Sequence, residues 1–183
     1  MRNIIYGINL SIDGCCDHTK FDGGEETHKY FTALMRDVDL IIYGRKTYQL
    51  MVPYWPEVAK NQSETKTALD FAQTFDSIEK IVCSRSLNKL EGNPKIIHEH
   101  LAEEILKLKQ QPGKNISIGG VDLPAQLISL GLVDEFYFLI HPILIGKGRR
   151  LLEDTDLLAK LDLKLVESKV LESGCLALHY LKR

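Results

Sequence analysis

The sequence lacks the features that mark several common classes of protein. Its longest apolar run, residues 136–145, is interrupted by His141 and Pro142 and falls far short of the roughly 20 residues that cross a membrane. Lys and Arg total 23 and Asp and Glu total 25, so the net charge of −2 offers no overall basic surface for nucleic acid. The four cysteines contain no C-x-x-C pair, which argues against a structural zinc site. We therefore expect no metal, no nucleic-acid partner and no membrane partner.

Targeting and nucleotide-binding signatures are also missing. The first three residues lead directly into a strand-like run without a small-residue cleavage site, so we expect no signal peptide. Adjacent Cys15 and Cys16 do not resemble a disulfide framework, and free thiols without an export signal favour a cytoplasmic location. Neither G-x-G-x-x-G nor G-x-x-x-x-G-K-[ST] occurs, which excludes the usual dinucleotide fingerprint and the P-loop.

What the chain does contain is an alternation of short apolar runs and polar amphipathic segments. Its 183 residues, 44% of them hydrophobic, predict one domain over residues 1–183. The alternation predicts an α/β fold: a mostly parallel central sheet flanked by helices, closed by a C-terminal antiparallel hairpin. Predicted strands cover residues 4–10, 39–43, 80–83, 94–97, 115–118 and 133–141, with the hairpin at 163–171 and 175–181. Predicted helices cover residues 25–36, 45–51, 65–75, 101–109 and 122–130, and Pro53 and Pro56 predict a loop after the second helix.

Three strand-to-loop junctions carry residues suited to phosphate. They are Gly44-Arg45-Lys46-Thr47, Ser84-Arg85, and Ile118-Gly119-Gly120. Glycine lets a backbone approach a phosphate, and the helix that follows two of these junctions offers free N–H groups. Each junction alone is most often a plain tight turn. Because carboxyl ends of parallel strands share one edge of the sheet, the three together suit a pyrophosphate plus one extra phosphate.

These junctions occur within a longer set of motifs that identifies a family. Residues 118–120 (IGG), 131–135 (GLVDE) and 141–146 (HPILIG) follow 11–14 (SIDG) and 43–47 (YGRKT) in order and spacing. The chain thereby resembles, over nearly its whole length, the dihydrofolate reductase-like superfamily. Within that superfamily it resembles the reductase domain of the bacterial bifunctional deaminase-reductase of riboflavin synthesis. The zinc-deaminase signature itself is absent.

The resemblance implies a fold, a cofactor and a reaction. The family binds NADPH and transfers a hydride to a pyrimidine- or pteridine-like ring. Asn9 would lie by the nicotinamide, Ser84 and Arg85 would hold the 2′-phosphate, and Gly119 and Gly120 would present a cis peptide to the pyrophosphate. The implied cofactor-binding residues are Asn9, Gly44, Arg45, Lys46, Thr47, Ser84, Arg85, Ile118, Gly119 and Gly120. The family also implies a homodimer whose interface lies near residues 133–141.

A reduced imine also needs a proton, which dihydrofolate reductases obtain with a carboxylate on the helix after the first loop. Glu26 is the residue we expect in that role, and Glu25 and Asp13 are the next candidates. The alternative is that these acids occur in the first helical turn only because the helix dipole favours negative charge there. Trp55 either walls the substrate pocket or caps the core.

The chain departs from dihydrofolate reductases and from riboflavin reductases at positions where those enzymes recognise their substrates. No arginine pattern like that for the folate tail occurs in residues 75–80, and Ile140 replaces a hydroxyl residue. Gly7 and Cys15 stand where riboflavin reductases carry basic residues. Dihydrofolate reductase activity, a non-catalytic NADPH-binding homologue and a structural dimerisation module therefore stay open beside the reductase.

Overall fold

Strands and helices alternate along the chain and build one twisted sheet. The computed structural model describes residues 1–21, 23–62, 64–90, 92–153 and 160–183. The strands are β1 (Ile4–Ser11), β2 (Val38–Gly44), β3 (Glu79–Cys83), β4 (Lys95–Ile97), β5 (Asn115–Gly119), β6 (Glu135–His141), β7 (Leu163–Val170) and β8 (Leu176–Lys182). The helices are α1 (Glu25–Met35), α2 (Arg45–Asn61), α3 (Lys66–Ser77), α4 (Leu101–Gln110) and α5 (Asp122–Ser129), with a 3-10 turn at His18–Lys20.

The sheet has eight strands in the order β4-β3-β2-β5-β1-β6-β8-β7. The first six of these are parallel to one another, and β8 pairs antiparallel with both β6 and β7. This arrangement confirms the predicted parallel sheet with a C-terminal antiparallel hairpin. None of the helices in the described ranges is long and apolar enough to cross a membrane.

Both faces of the parallel part of the sheet are buried, which explains why its strands read as nearly continuous apolar runs. Ile4 and Tyr6 of β1 pack on the face that α4 and α5 cover. Ile5 points to the other face, against helices α1, α2 and α3. Alternate side chains of a strand point to opposite faces, so one buried strand contributes side chains to the cores on both faces of the sheet.

Helix α2 is longer than the sequence indicated. We expected a helix over residues 45–51 and a loop at Pro53 and Pro56, but both prolines lie inside α2. Each proline removes one helical hydrogen bond. Packing outweighs that loss, because Trp55 lies between them with its ring centroid 4.4 Å from that of Phe71 on α3.

Candidate active site

The carboxyl ends of neighbouring strands surround a cavity of about 1500 Å³. Strand pairing places Gly44 opposite Cys83 and Tyr43 opposite Gly119, so the three predicted junctions stand side by side. All of the predicted cofactor residues line this cavity: Asn9, Gly44, Arg45, Lys46, Thr47, Ser84, Arg85, Ile118, Gly119 and Gly120. Trp55 lines it as well. Residues distant in sequence therefore meet around one space, while their roles stay predictions.

The glycine pair lies where side chains would not fit. Gly120 has a φ of +87°, and a Cβ there would overlap Oγ1 of Thr47 and lie 3.3 Å from its Cβ. A Cβ at Gly119 would overlap the ring of Tyr43. The missing side chains let Tyr43 of β2 approach Gly119 and Thr47 of α2 approach Gly120, and they leave bare backbone facing the cavity.

The peptide between these glycines differs from what the resemblance implied. All peptide bonds in the part of the chain that the structure describes are trans, so the expected cis bond between Gly119 and Gly120 is not found. The hydroxyl of Tyr6 donates to the carbonyl of Gly120 over 2.8 Å. That bond and the positive φ of Gly120 orient the turn into α5 with a trans peptide.

The junction after β3 forms a tight polar turn. Ser84 Oγ accepts from the backbone N–H of Leu87 at 3.3 Å, and Nδ1 of His98 donates to the Ser84 carbonyl at 2.9 Å. Arg85 is exposed and forms no ion pair with any described residue. Its guanidinium is therefore free to meet an anion at the cavity rim.

His141, the last residue of β6, also lines the cavity. His141 is 7% exposed, and its Nε2 lies 2.9 Å from Oδ1 of Asn9. Since the Asn9 oxygen can only accept, Nε2 carries the proton in this pair. The ring of Phe21 lies 4.8 Å from His141, and burial lowers the pKa of the imidazole. A neutral His141 thus fixes the amide of Asn9.

Sequence reasoning missed His28, on α1. Its ring lies 5.6 Å from Trp55, edge to face, and 5.8 Å from Phe71. Its Nδ1 is buried and has no hydrogen-bond partner among the described residues. Burial also lowers the pKa of this imidazole. Its spacing to Phe31 was an available signal, because residues three apart share one helix face and both residues line the cavity.

The predicted carboxylates on α1 face away from this space. Glu26 accepts backbone hydrogen bonds from Glu172 at 3.1 Å and Ser173 at 2.6 Å, in the turn between β7 and β8. Hydrogen bonding from the side chain of Ser173, then from its backbone and that of Glu172, lowers the pKa of Glu26. Glu25 lies 3.5 Å from Nζ of Lys29 on the exposed side of α1. Neither acid is among the described residues that line the cavity.

The carboxylate of Asp13, like that of Glu26, accepts hydrogen bonds from a distant loop and so holds two loops together. Its carboxylate accepts from Oγ of Ser11 at 2.6 Å and from the backbone N–H groups of Ile145 at 3.1 Å and Gly146 at 2.8 Å. These bonds hold the pKa of Asp13 far below its usual range. Arg150 lies 3.6 Å from the same carboxylate. Asp13 is also absent from the described lining of the cavity, so its role as proton donor stays a prediction.

Gly7 sets the approach of α1 to the sheet. A Cβ at this position would lie 3.1 Å from side-chain atoms of both Leu34 and Phe31. The missing side chain therefore lets α1 rest directly on β1. His28 and Thr27 of the same helix reach the cavity in consequence.

Comparisons with known proteins agree with this geometry. Residues 2–177 match the family described as the RibD C-terminal domain. The chain is 36% identical over 186 residues to the uncharacterized protein YyaP of Bacillus subtilis (strain 168), covering 98% of this chain and 94% of that protein. The fold matches a pyrimidine reductase-like protein from Corynebacterium diphtheriae with a TM-score of 0.71 and 18% identity, covering 100% of this chain and 92% of the other.

A second solved structure widens the comparison. Dihydrofolate reductase from Enterococcus faecalis, complexed with NADP(H), matches with a TM-score of 0.63 and 13% identity, over 99% of this chain and 96% of the other. At such identities the two structures establish the fold alone. With the family match over residues 2–177 and the YyaP relationship, the chain belongs to the RibD C-terminal domain family.

Proposed function

We propose that this chain is an NADPH-dependent reductase of the riboflavin-reductase type, acting on a pyrimidine- or pteridine-like ring. The observation that carries the proposal is that predicted cofactor residues from separate strand ends all line one cavity. Family membership and the fold shared with an NADP(H)-bound dihydrofolate reductase support it. NADPH, when bound, supplies the hydride, and the protein binds, orients and shields the reactants.

The residues at the phosphate end fit such a cofactor. The first turns of α2 and α5 offer free N–H groups to a pyrophosphate, and the bare backbone of Gly119 and Gly120 admits it closely. Arg45 and Lys46 add positive charge beside it. Arg85, free of ion pairs with the described residues, would hold the 2′-phosphate together with Ser84.

Asn9 would orient the other end of the cofactor. His141 holds Oδ1 of Asn9, and the Asn9 Nδ2 makes no hydrogen bond to any described residue. That nitrogen is a donor suited to the carbonyl of a carboxamide. The buried His141 thereby acts as a positioning residue for the nicotinamide.

A fluorescence titration with NADPH tests the proposal. Binding at micromolar concentration or tighter is expected, and no binding at millimolar NADPH would contradict it. The principal competitor is an NADPH-binding homologue without turnover, which the departures at Gly7 and Cys15 favour. Substrate-dependent oxidation of NADPH with any pteridine or aminopyrimidine would eliminate that competitor. Oxidation confined to dihydrofolate would instead favour dihydrofolate reductase activity.

We also propose that the protein works in the cytoplasm as a homodimer. All four cysteines are free, as suits a reducing compartment. Edge strand β7 exposes Leu165, Val166 and Val170, which are 50%, 51% and 72% accessible. An edge strand with exposed apolar residues is a ready surface for pairing with a second chain.

A further inference from the structure

The two ends of the cavity differ in charge. Its lysine and arginine residues are Arg45, Lys46, Arg85 and Arg149. The first three lie in the phosphate-binding junctions. The fourth, Arg149, forms an ion pair with Asp122 at the start of α5. Positive charge is therefore concentrated where the cofactor phosphates are proposed to bind.

The opposite end is bounded by α1 and by the later turns of α2. Trp55 lies about 12 Å along α2 from Thr47, at 1.5 Å per residue. Its walls are rings and aliphatic chains, namely Phe21, Phe31, Leu34, Trp55 and Phe71. Its polar groups include Asn9, Thr27, His28 and His141, and Asp17 and His18 line the cavity close to Phe21 in sequence. We call this region the ring end.

Carboxylates lie near the ring end: burial lowers the pKa of His28, and the charges of Glu64 and Glu25 act in the opposite direction. The acidic residues in the described lining are Asp17, Glu99 and Asp122. Asp122 pairs with Arg149, and Glu99 follows His98 at the phosphate end. Asp17 caps the 3-10 turn, its Oδ1 accepting from the backbone and hydroxyl of Thr19 at 3.1 and 2.8 Å. The predicted proton donors Glu25, Glu26 and Asp13 lie outside the described lining.

One polar atom at the ring end lacks a partner. Nδ1 of His28 is buried without a hydrogen bond to any described residue, while Trp55 and Phe71 hold its ring in place. Burying a polar atom without a partner destabilises a protein, so such an atom calls for an explanation. A ligand that enters the cavity and meets this nitrogen supplies one.

On the basis of the proposed function, we infer that His28 binds the substrate through Nδ1 and that this substrate is a flat, unphosphorylated ring without negative charge. The aromatic walls stack against such a ring, and Nδ1 meets one heteroatom at its edge. A phosphate or carboxylate would find no lysine or arginine at the ring end. The chain thus differs in substrate from relatives that carry basic residues at the positions of Gly7 and Cys15.

Two probes of different charge test this inference by calorimetry on NADP⁺-saturated protein. They are lumazine in its neutral form and lumazine-6-carboxylate as an anion. We expect lumazine to bind at least ten-fold more tightly than the carboxylate. A smaller difference overturns the inference, as does failure of both probes while NADPH still binds.

Variants at position 28 test the role of the nitrogen. His28→Phe keeps a ring but no Nδ1, and it should weaken lumazine binding about ten-fold, the effect of one hydrogen bond. His28→Asn places an amide near the position of Nδ1 and should recover part of the loss. Unchanged lumazine affinity in His28→Phe overturns the inference.

The NADPH titration keeps the two proposals apart. Both variants should bind NADPH as the wild type does, which also shows that they fold. If the wild-type protein does not bind NADPH, that result instead refutes the proposed function. As an independent measurement, the ¹⁵N resonance of His28 Nδ1 should shift when lumazine is added, and a stationary resonance contradicts the assigned contact.

Discussion

Replacing Gly120 with alanine should impair NADPH binding more than it impairs folding. The residue has a φ of +87°, and an added Cβ would overlap Oγ1 of Thr47 in the first turn of α2. Either Thr47 or the peptide after Gly119 must then move. Both line the cavity at the proposed pyrophosphate position. The displacement therefore falls on the surface that is proposed to contact the cofactor.

The expected size follows from two separate effects. Alanine at positive φ costs about 1 kcal/mol once the stiffer unfolded chain is considered. Overpacking in a rigid contact adds ~1–3 kcal/mol. Gly146, with a φ of +78° and open space around its Cβ position, bears only the first effect. Gly146→Ala should lower the free energy of unfolding by about 1 kcal/mol and Gly120→Ala by roughly 2–4 kcal/mol.

Urea unfolding and NADPH fluorescence titration measure the two consequences. If the overlap is relieved at the expense of the cavity surface, Gly120→Ala should raise the Kd for NADPH roughly 5- to 100-fold, and Gly146→Ala should leave it unchanged. Thr47→Ala removes Oγ1, the atom that the added Cβ overlaps. In that background, Gly120→Ala should raise the Kd for NADPH by a smaller factor than it does in the wild type. An unchanged Kd in Gly120→Ala would refute the assignment of this turn to the cofactor.

Three further outcomes are expected. Arg85→Ala should raise the Kd for NADPH about 10- to 100-fold and leave the Kd for NADH unchanged. Lys89, an exposed cation outside the described cavity lining, provides the control, and Lys89→Ala should alter neither Kd. Equal losses of affinity for both cofactors would contradict the 2′-phosphate role of Arg85. Glu26→Gln should lower the Tm at neutral pH while Glu25→Gln does not, and the difference should shrink as the pH falls through the range where carboxylates protonate. The sign follows because the pKa of Glu26 is lowered in the folded state, so its stabilisation exists above the unfolded pKa and disappears in acid; equal melting at neutral pH would argue against the hairpin contact. Sedimentation equilibrium should show a dimer, and a monomer at all concentrations would exclude one.

The sheet and the phosphate end were predictable because each rests on a local pattern. Buried parallel strands read as apolar runs wherever they occur, so Ile41 and Ile81 revealed their strands directly. A strand that ends in glycine before a helix implies a turn at the carboxyl edge. The resemblance then connected Gly44, Ser84 and Gly119 to one ligand. Strand pairing brings them together without any further information.

The ring end was less predictable because it depends on contacts between distant elements. Pro53 and Pro56 indicated a loop, and only the packing of Trp55 on Phe71 explains the continuous helix. Glu26 attracted attention as an acid in a first helical turn, yet its partners lie in a hairpin more than 140 residues later in the sequence. His28 carried no motif at all. Its significance comes from an unpartnered nitrogen, which is a property of three-dimensional packing.

Gly7 gives the molecule a simple means of changing what it accepts. With hydrogen as its side chain, strand β1 lets Leu34 and Phe31 settle against bare main chain. A side chain at position 7 would press on Leu34 and Phe31, and a large one would push α1, and with it His28, away from β1. The loops that are proposed to contact the diphosphate follow other strands and would stay where they are. Evolution or engineering could thus adjust the thickness of the admitted ring at a single codon without disturbing recognition of the coenzyme.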